Sequence, residues 1–307
     1  MTAIPAMIRM MIGIMTQAPR RNSARIPGQS RSMHRFQIAG LLAAALLLLW
    51  GGPAQAQIAS QPAPKIDVAP HRAVYAISLA SAKSGSGVVA ASGALAFEWG
   101  DGCDGWTVEQ RYRLALTLAQ PGTVEIVTSY ATWESKDGLS YRFKVRKTRN
   151  GKPEGDISGQ ARLEGPGKKG RAEFTQPGKL AMDLPPGTIF PTEHTLVVLA
   201  QALADKTLVR RTVFDGATAD GAAEVNALIG RKLVTGQPKA EAFMDRPGWH
   251  MRMAYFNLGK GKTDEPDYEI GLELQDNGIA RALKLDYADF SIKGTLEKVE
   301  LLPKPAC

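Results

Sequence analysis

Between residues 72 and 176 the chain reverses only at short turns, and between turns its side chains alternate in phase with a β-strand. The longest alternation starts at Trp106. Trp106, Val108, Gln110, Tyr112, Leu114, Leu116 and Leu118 fall on one face, and Thr107, Glu109, Arg111, Arg113 and Thr117 on the other. A strand of that length suits a strongly curved or barrel-like sheet rather than a small sandwich. Its neighbours are Arg72–Ala80, Val88–Trp99, Thr123–Glu134, Leu139–Arg149, Asp156–Glu164 and Gly170–Gln176. The separating turns include Ser84–Gly87, Asp101–Gly105, Pro121-Gly122, Lys136–Gly138, Asn150-Gly151 and Gly165–Gly167. Connections this short join antiparallel neighbours, because parallel ones need helical crossovers. The expected fold is mainly β, one long antiparallel meander.

Pro185-Pro186-Gly187 ends that run, and Phe190–Lys206 is the one strong helical pattern. Pro191 suits a first turn, Thr192 is placed to cap by accepting a free N–H, and Glu193 complements the positive helix end. Leu196, Leu199, Ala200 and Leu203 recur at i, i+3, i+4 and i+7, an apolar stripe that the sheet is expected to cover. Leu196, Leu199 and Leu203 therefore mark the candidate apolar cleft. Residues 207–214 and 223–233 read as short ambiguous segments. Strand character returns over Arg246–Leu258, Tyr268–Leu274, Ile279–Tyr287 and Phe290–Leu302, with Asp276-Asn277-Gly278 as a hairpin turn. No linker divides residues 71–307, which are expected to form a single domain around this principal helix.

The N-terminal segment reads differently. Met33-His34-Arg35 opens a basic region, Ile38–Trp50 is an uninterrupted apolar run, and Ala54-Gln55-Ala56 is a small-x-small site, the pattern of a Sec-type signal peptide cleaved after Ala56. Met33 is the expected start, residues 1–32 an upstream extension, and residues 57–70 a flexible Pro/Ala-rich leader. The apolar run is short for a membrane span, and no transmembrane segment is expected beyond residue 56. The whole chain has a formal net charge of +8, but residues 1–56 hold six Arg and no acidic residue. The remainder carries 32 basic against 30 acidic side chains, which removes the electrostatic footprint of a nucleic-acid partner. A signal of this kind places the protein in the periplasm. There two isolated cysteines, Cys103 and Cys307, are best read as a structural disulfide, since no CxxC spacing is present.

Signals for chemistry are sparse. HExxH, paired CxxC, EF-hand and GxSxG patterns are all missing, and Asp101 and Asp104 serve a Gly-rich turn, so neither metal nor cofactor is expected. Of His71, His194 and His250, only His194 merits a catalytic alternative, as general base of a hydrolase acting on envelope polymers; its plainer role is at a helix start or core edge. The basic stripe Arg142, Lys144, Arg146 is first of all a solvated strand face, and second a candidate contact for an anionic surface. Trp106, Tyr112, Trp249 and Tyr255 are expected in the core.

Several segments taken together resemble the EipB-like family of cell-envelope integrity proteins: DGCDGW at 101–106, LPPGTIFPTEH at 184–194, FDG at 214–216, DYADF at 286–290 and the terminal PKPAC. The resemblance spans about residues 66–307. It implies one antiparallel sheet that spirals without closing fully, a fold like that of periplasmic lipid and lipoprotein carriers, and a disulfide between Cys103 and Cys307. It implies a role in envelope integrity without an assigned enzymatic activity. The expected partners are a periplasmic protein or an apolar, lipid-like ligand.

Overall fold

Each short turn lays a strand beside its predecessor, so spatial order follows chain order. The computed structural model describes residues 66–120, 122–236, 241–258 and 264–307. The signal peptide, the start at Met33 and most of the leader lie outside the described residues. The first run is β1 (His71–Ala82), β2 (Val88–Asp101), β3 (Gly105–Leu118), β4 (Thr123–Ser135), β5 (Ser140–Arg149), β6 (Lys152–Leu163), β7 (Gly170–Gln176) and β8 (Leu180–Leu184). The two-residue β9 (Thr188–Ile189) and helix α1 (Pro191–Leu203) follow. The second run is β10 (Leu208–Val213), β11 (Ala223–Lys232), β12 (Gly248–Asn257), β13 (Tyr268–Gln275), β14 (Ala280–Asp286) and β15 (Phe290–Leu301). The ambiguous segments 207–214 and 223–233 are thus both strands.

All described strands belong to one 15-stranded sheet. β1 pairs with β2 on one side and with β15 on the other, joining the beginning and end of the chain through pairs such as Ala76↔Ala94 and Ala76↔Thr295. The two edges are then β8 and β9, which only residues 185–187 separate. A sheet whose edges meet across so short a link must return on itself, and the result is a nearly closed, barrel-like wall. Among the described residues β9 and β10 form the one parallel pair, Thr188↔Thr212 and Ile189↔Val213, because α1 supplies the crossover between them.

Inward side chains pack in clusters around the wall. One joins β1–β3 to β13–β15 and includes Tyr75, Leu95, Tyr112, Leu114 and Ile292. A second packs Val198, Leu199 and Ala202 of α1 against Val209, Val225, Trp249 and Met253. A third is aromatic, with Tyr141, Phe143, Phe174 and Phe214 around Phe190, which precedes α1.

The face the helix turns to the sheet overlaps the stripe its leucines mark only at Leu199. Thr192, His194, Val198, Leu199 and Ala202 are buried, Leu196 is half-buried, and Leu203 is 40% exposed. Phe190 decides this orientation: it is fully buried and stacks on Tyr141 at 4.9 Å between ring centroids, which fixes the direction in which α1 enters the core. Leu203, the last helical residue, is left on the outside as the chain leaves for β10.

Cys103, in the β2–β3 turn, and Cys307 are joined by a disulfide with Cα atoms 5.6 Å apart. The C-terminal tail is also held by the Leu302 N–H donating to the Pro70 carbonyl at 2.8 Å and by a Lys304–Asp67 ion pair. Cross-linking positions 204 residues apart restricts the unfolded chain by about 5 kcal/mol in the loop-entropy limit. Cys103→Ser and Cys307→Ser should each lower the melting temperature in non-reducing buffer, to the same value as the double variant. Alkylation without reductant should leave the wild-type mass unchanged.

Candidate functional site

The inward alternation of β1, β2 and β12–β14 leaves a space that the core does not fill. A cavity of about 240 Å³ is lined by Tyr75, by Leu95, Phe97 and Trp99 at alternate positions of β2, and by Met253 and Tyr255 of β12. Ile270, Leu272 and Leu274 of β13 and Leu283 and Leu285 of β14 continue the same wall. The polar contributors are few: His71, Gln110, Tyr130, Asp215, and His194 and Thr195 of α1. The Tyr75 hydroxyl is spent on the Ala280 carbonyl at 2.8 Å.

Helix α1 meets the cavity through Pro191, His194 and Thr195. The leucines proposed for the cleft take other places: Leu199 packs in the wall, Leu196 is half-buried and Leu203 is exposed, so none of the three lines it. The cause is the helix rotation set by Phe190.

A buried carboxylate holds the helix start. Phe190 occupies the N-cap and makes no side-chain cap, and Thr192 does not serve as one. Instead Glu134 of β4, 2% exposed, accepts the Thr192 N–H at 2.8 Å and the Glu193 N–H at 2.7 Å, one on each oxygen. A negative charge aimed at free N–H groups satisfies both the unpaired donors and the helix dipole. Burial nevertheless dominates its titration. It pushes the Glu134 pKa up from 4.5 to about 7, with Glu193 adding repulsion and the two N–H groups opposing the shift. The signal in the sequence was an acidic residue in phase with the inward-facing Ile126, Thr128 and Tyr130 of the same strand.

The Phe214-Asp215-Gly216 loop closes the same end. Tyr130 and Tyr141 both donate to the Asp215 carbonyl, at 2.5 and 3.0 Å. Asp215 Oδ1 accepts the Ala217 N–H at 3.0 Å, and Phe214 enters the aromatic cluster. Gly216 has φ +67°, and a Cβ there would lie 2.4 Å from the Phe143 ring, so the position requires glycine on both counts.

Burial favours the neutral form of the two histidines that line this site, His71 and His194. His194 is 4% exposed, and burial, helped by the Arg211 charge, lowers its pKa from 6.5 to about 4. His71 Nδ1 lies 2.8 Å from the Ala69 carbonyl, which places the proton on that nitrogen, and burial lowers its pKa too. His194 Nε2 has no hydrogen-bond partner among the described residues, and both Glu134 oxygens are occupied by the helix. His250 lies on the outer face, 3.6 Å from Glu273. Among the described residues no group of three or more His, Cys, Asp or Glu side chains could hold a metal ion, and no helix is long and apolar enough to cross a membrane.

The basic stripe sits on the outer surface of β5. Arg142 lies over the Trp133 ring at 4.6 Å, while Lys144 and Arg146 border a separate outer concavity.

Comparison with known proteins agrees with this architecture. The EipB-like family matches residues 62–303. The chain belongs to the EipB-like family. It is 28% identical over 274 residues to the cell envelope integrity protein EipB of Brucella abortus (strain 2308), an alignment covering 88% of this chain and 96% of that protein. The crystal structure of a beta-barrel-like protein of a domain of unknown function from Brucella abortus superposes with a TM-score of 0.72 at 26% identity, covering 78% of this chain and 100% of that one. The EipB-like segments quoted above have architectural work here: the 101–106 turn carries Cys103, 184–194 spans the sheet edges and the helix start, and 214–216 receives the two tyrosines.

Burial shifts Glu134 and His194 in opposite directions, Glu134 up and His194 down. The raised Glu134 pKa contributes stability that is complete below pH 4.5 and is lost as pH rises through about 7. The lowered His194 pKa contributes stability that is complete above 6.5 and is lost as pH falls toward 4. The charged neighbours facing the pair are Glu193 and Arg211, with Tyr130 and Tyr141 neutral. Glu134→Gln keeps an acceptor but removes the first contribution, so its melting temperature should fall more steeply than wild type between pH 7 and 4.5. Parallel slopes would refute the assignment. Gly216→Ala should cost about 1–3 kcal/mol in denaturant unfolding, since the Phe143 ring must move.

Proposed function

We propose that this EipB-like protein supports the cell envelope as a non-enzymatic carrier or sensor, by holding an apolar ligand such as an acyl chain in the cavity inside its wall. The observation that carries this reading is the lining: Leu95, Phe97, Ile270, Leu272, Leu283 and Leu285 face one space, with few polar groups among them. A binding site of this kind uses apolar area for affinity and a few polar groups for orientation. At about 240 Å³, the space exceeds the ~150 Å³ that accommodates a benzene ring and falls below the ~300 Å³ lower bound of drug-sized sites. One chain, or the end of one, is therefore the fitting occupant. The envelope role comes from the EipB relative, whose name describes it as a cell envelope integrity protein. The periplasm is the corresponding compartment, in keeping with the signal pattern read in residues 1–56.

Lipid extraction and native mass spectrometry of protein purified from the envelope should reveal a co-purifying apolar species. In vitro, N-phenyl-1-naphthylamine should gain fluorescence on binding, and Leu272→Trp, which fills the space, should weaken it about tenfold or more. A wild-type protein that neither extracts a ligand nor enhances the dye would refute the cavity reading. His194→Ala should still complement an envelope-stress defect; failure to do so in a variant that folds and binds the dye would reinstate the hydrolase reading.

A further inference from the structure

The outer face of the same wall carries a second concavity. Across β2, β3, β4 and β5, outward side chains align in two register rows. Ala96, Arg111, Ser129 and Arg146 stand opposite one another in the first; Glu98, Glu109, Ala131 and Lys144 do so in the second, with Arg72 of β1 beyond Glu98. Ala96, Ser129 and Ala131 are small and the surrounding residues are long and charged, so the rows enclose a polar concavity of about 450 Å³.

Its two sides differ in how far their charges are satisfied. Arg72 donates to Glu98 at 2.8 Å and is also stabilised by Glu109 and Glu300, so Glu98 is paired from within the protein. Arg111 of β3 and Lys144 of β5 have no ion-pair partner among the described residues. Arg146 reaches Asp156 at 3.6 Å with both side chains at least half exposed. Lys144 and Arg146 are two residues apart on one strand face, about 7 Å, and Arg111 is two strands from Arg146, about 10 Å. We infer that this concavity docks an extended acidic segment of a protein partner, its alternate carboxylates meeting Lys144 and Arg146 along β5, with Arg111 facing the segment from across the Ser129–Ala131 floor.

Shape and composition favour a protein segment over a lipid surface. A bilayer is broad and cannot enter a concavity, and a surface-bound protein also inserts apolar side chains. None of the exposed large apolar residues lies on this floor or rim. An extended strand presents every second side chain in one direction, which matches the spacing of Lys144 and Arg146. Charge complementarity of this kind gives register and speed of association, and it weakens with salt.

The test uses the full chain and a fluorescein-labelled peptide of alternating glutamate and serine, read by fluorescence anisotropy. Saturable binding is expected, and Arg111→Glu, Lys144→Glu and Arg146→Glu should each weaken it about tenfold or more. Reversals outside the concavity, Lys206→Glu and Arg231→Glu, should change it by less than about twofold. All five positions are solvent-facing, and unchanged melting curves confirm intact folding. Equal weakening by the outside reversals would overturn the proposal, because binding would then follow net charge alone. Co-sedimentation with phosphatidylglycerol vesicles in the absence of peptide binding would also overturn it, by identifying the occupant as a membrane.

Discussion

The pairing of β1 with β15 is the constraint on which everything else rests. It converts two consecutive meanders into one sheet and displaces both free edges to the middle of the chain, on either side of residues 185–187. The two open edges of the sheet therefore lie just before α1 in sequence. An open edge offers unpaired N–H and C=O groups and invites intermolecular pairing. Here the edge strands are short, five residues in β8 and two in β9, and Asp183 on β8 is 87% exposed and charged. The disulfide reinforces the same closure from outside, since Cys307 follows β15 and Cys103 follows β2, the two neighbours of β1.

Near this seam the helix is held less by its own sequence than by the sheet. Its start has an aromatic anchor, Phe190 on Tyr141, and a carboxylate clamp, Glu134 on two N–H groups, both contributed across the fold. Burying a charge is expensive unless hydrogen bonds compensate it, and a Glu134 pKa near 7 indicates incomplete compensation. The site therefore stores an unfavourable ionisation in the element that borders the cavity, with an opposing one in His194. Their opposite signs leave the acid-side stability less pH-dependent than either group alone would make it.

How much of this was legible follows from which interactions are local. Period-2 alternation and short turns specify β1–β7 and β12–β15, because side-chain phase and turn chemistry are properties of neighbouring residues. The EipB-like segments specified the barrel-like return and the cysteine pair. The helix was correctly placed, but its buried face was not, because Leu196, Leu199 and Leu203 form an apolar stripe by themselves while Phe190 and Glu134 decide the rotation from outside it. Residues 207–214 and 223–233 were ambiguous because their strand state depends on pairing with each other, Leu208↔Leu228 to Val213↔Ala223, across intervening turns. The cavity itself had no local signature, since its walls come from β1–β4, β10, β12–β14 and α1.

The strand period also accounts for the separation of the two concavities. Phe97, Gln110 and Tyr130 are register partners whose side chains turn toward the cavity, while their immediate neighbours Ala96, Glu98, Glu109, Arg111, Ser129 and Ala131 turn outward. One thickness of sheet thus carries apolar residues on one side and a charged rim on the other, and both surfaces are set by the same hydrogen-bonded register. A slip of one residue in β3 would bring Arg111 inside and expose Tyr112, at the cost of burying a charge and uncovering an aromatic ring. The penalty for that slip is what holds the register. The inner cavity and the outer concavity therefore share β2, β3 and β4 as a common support, each strand giving alternate side chains to the two surfaces.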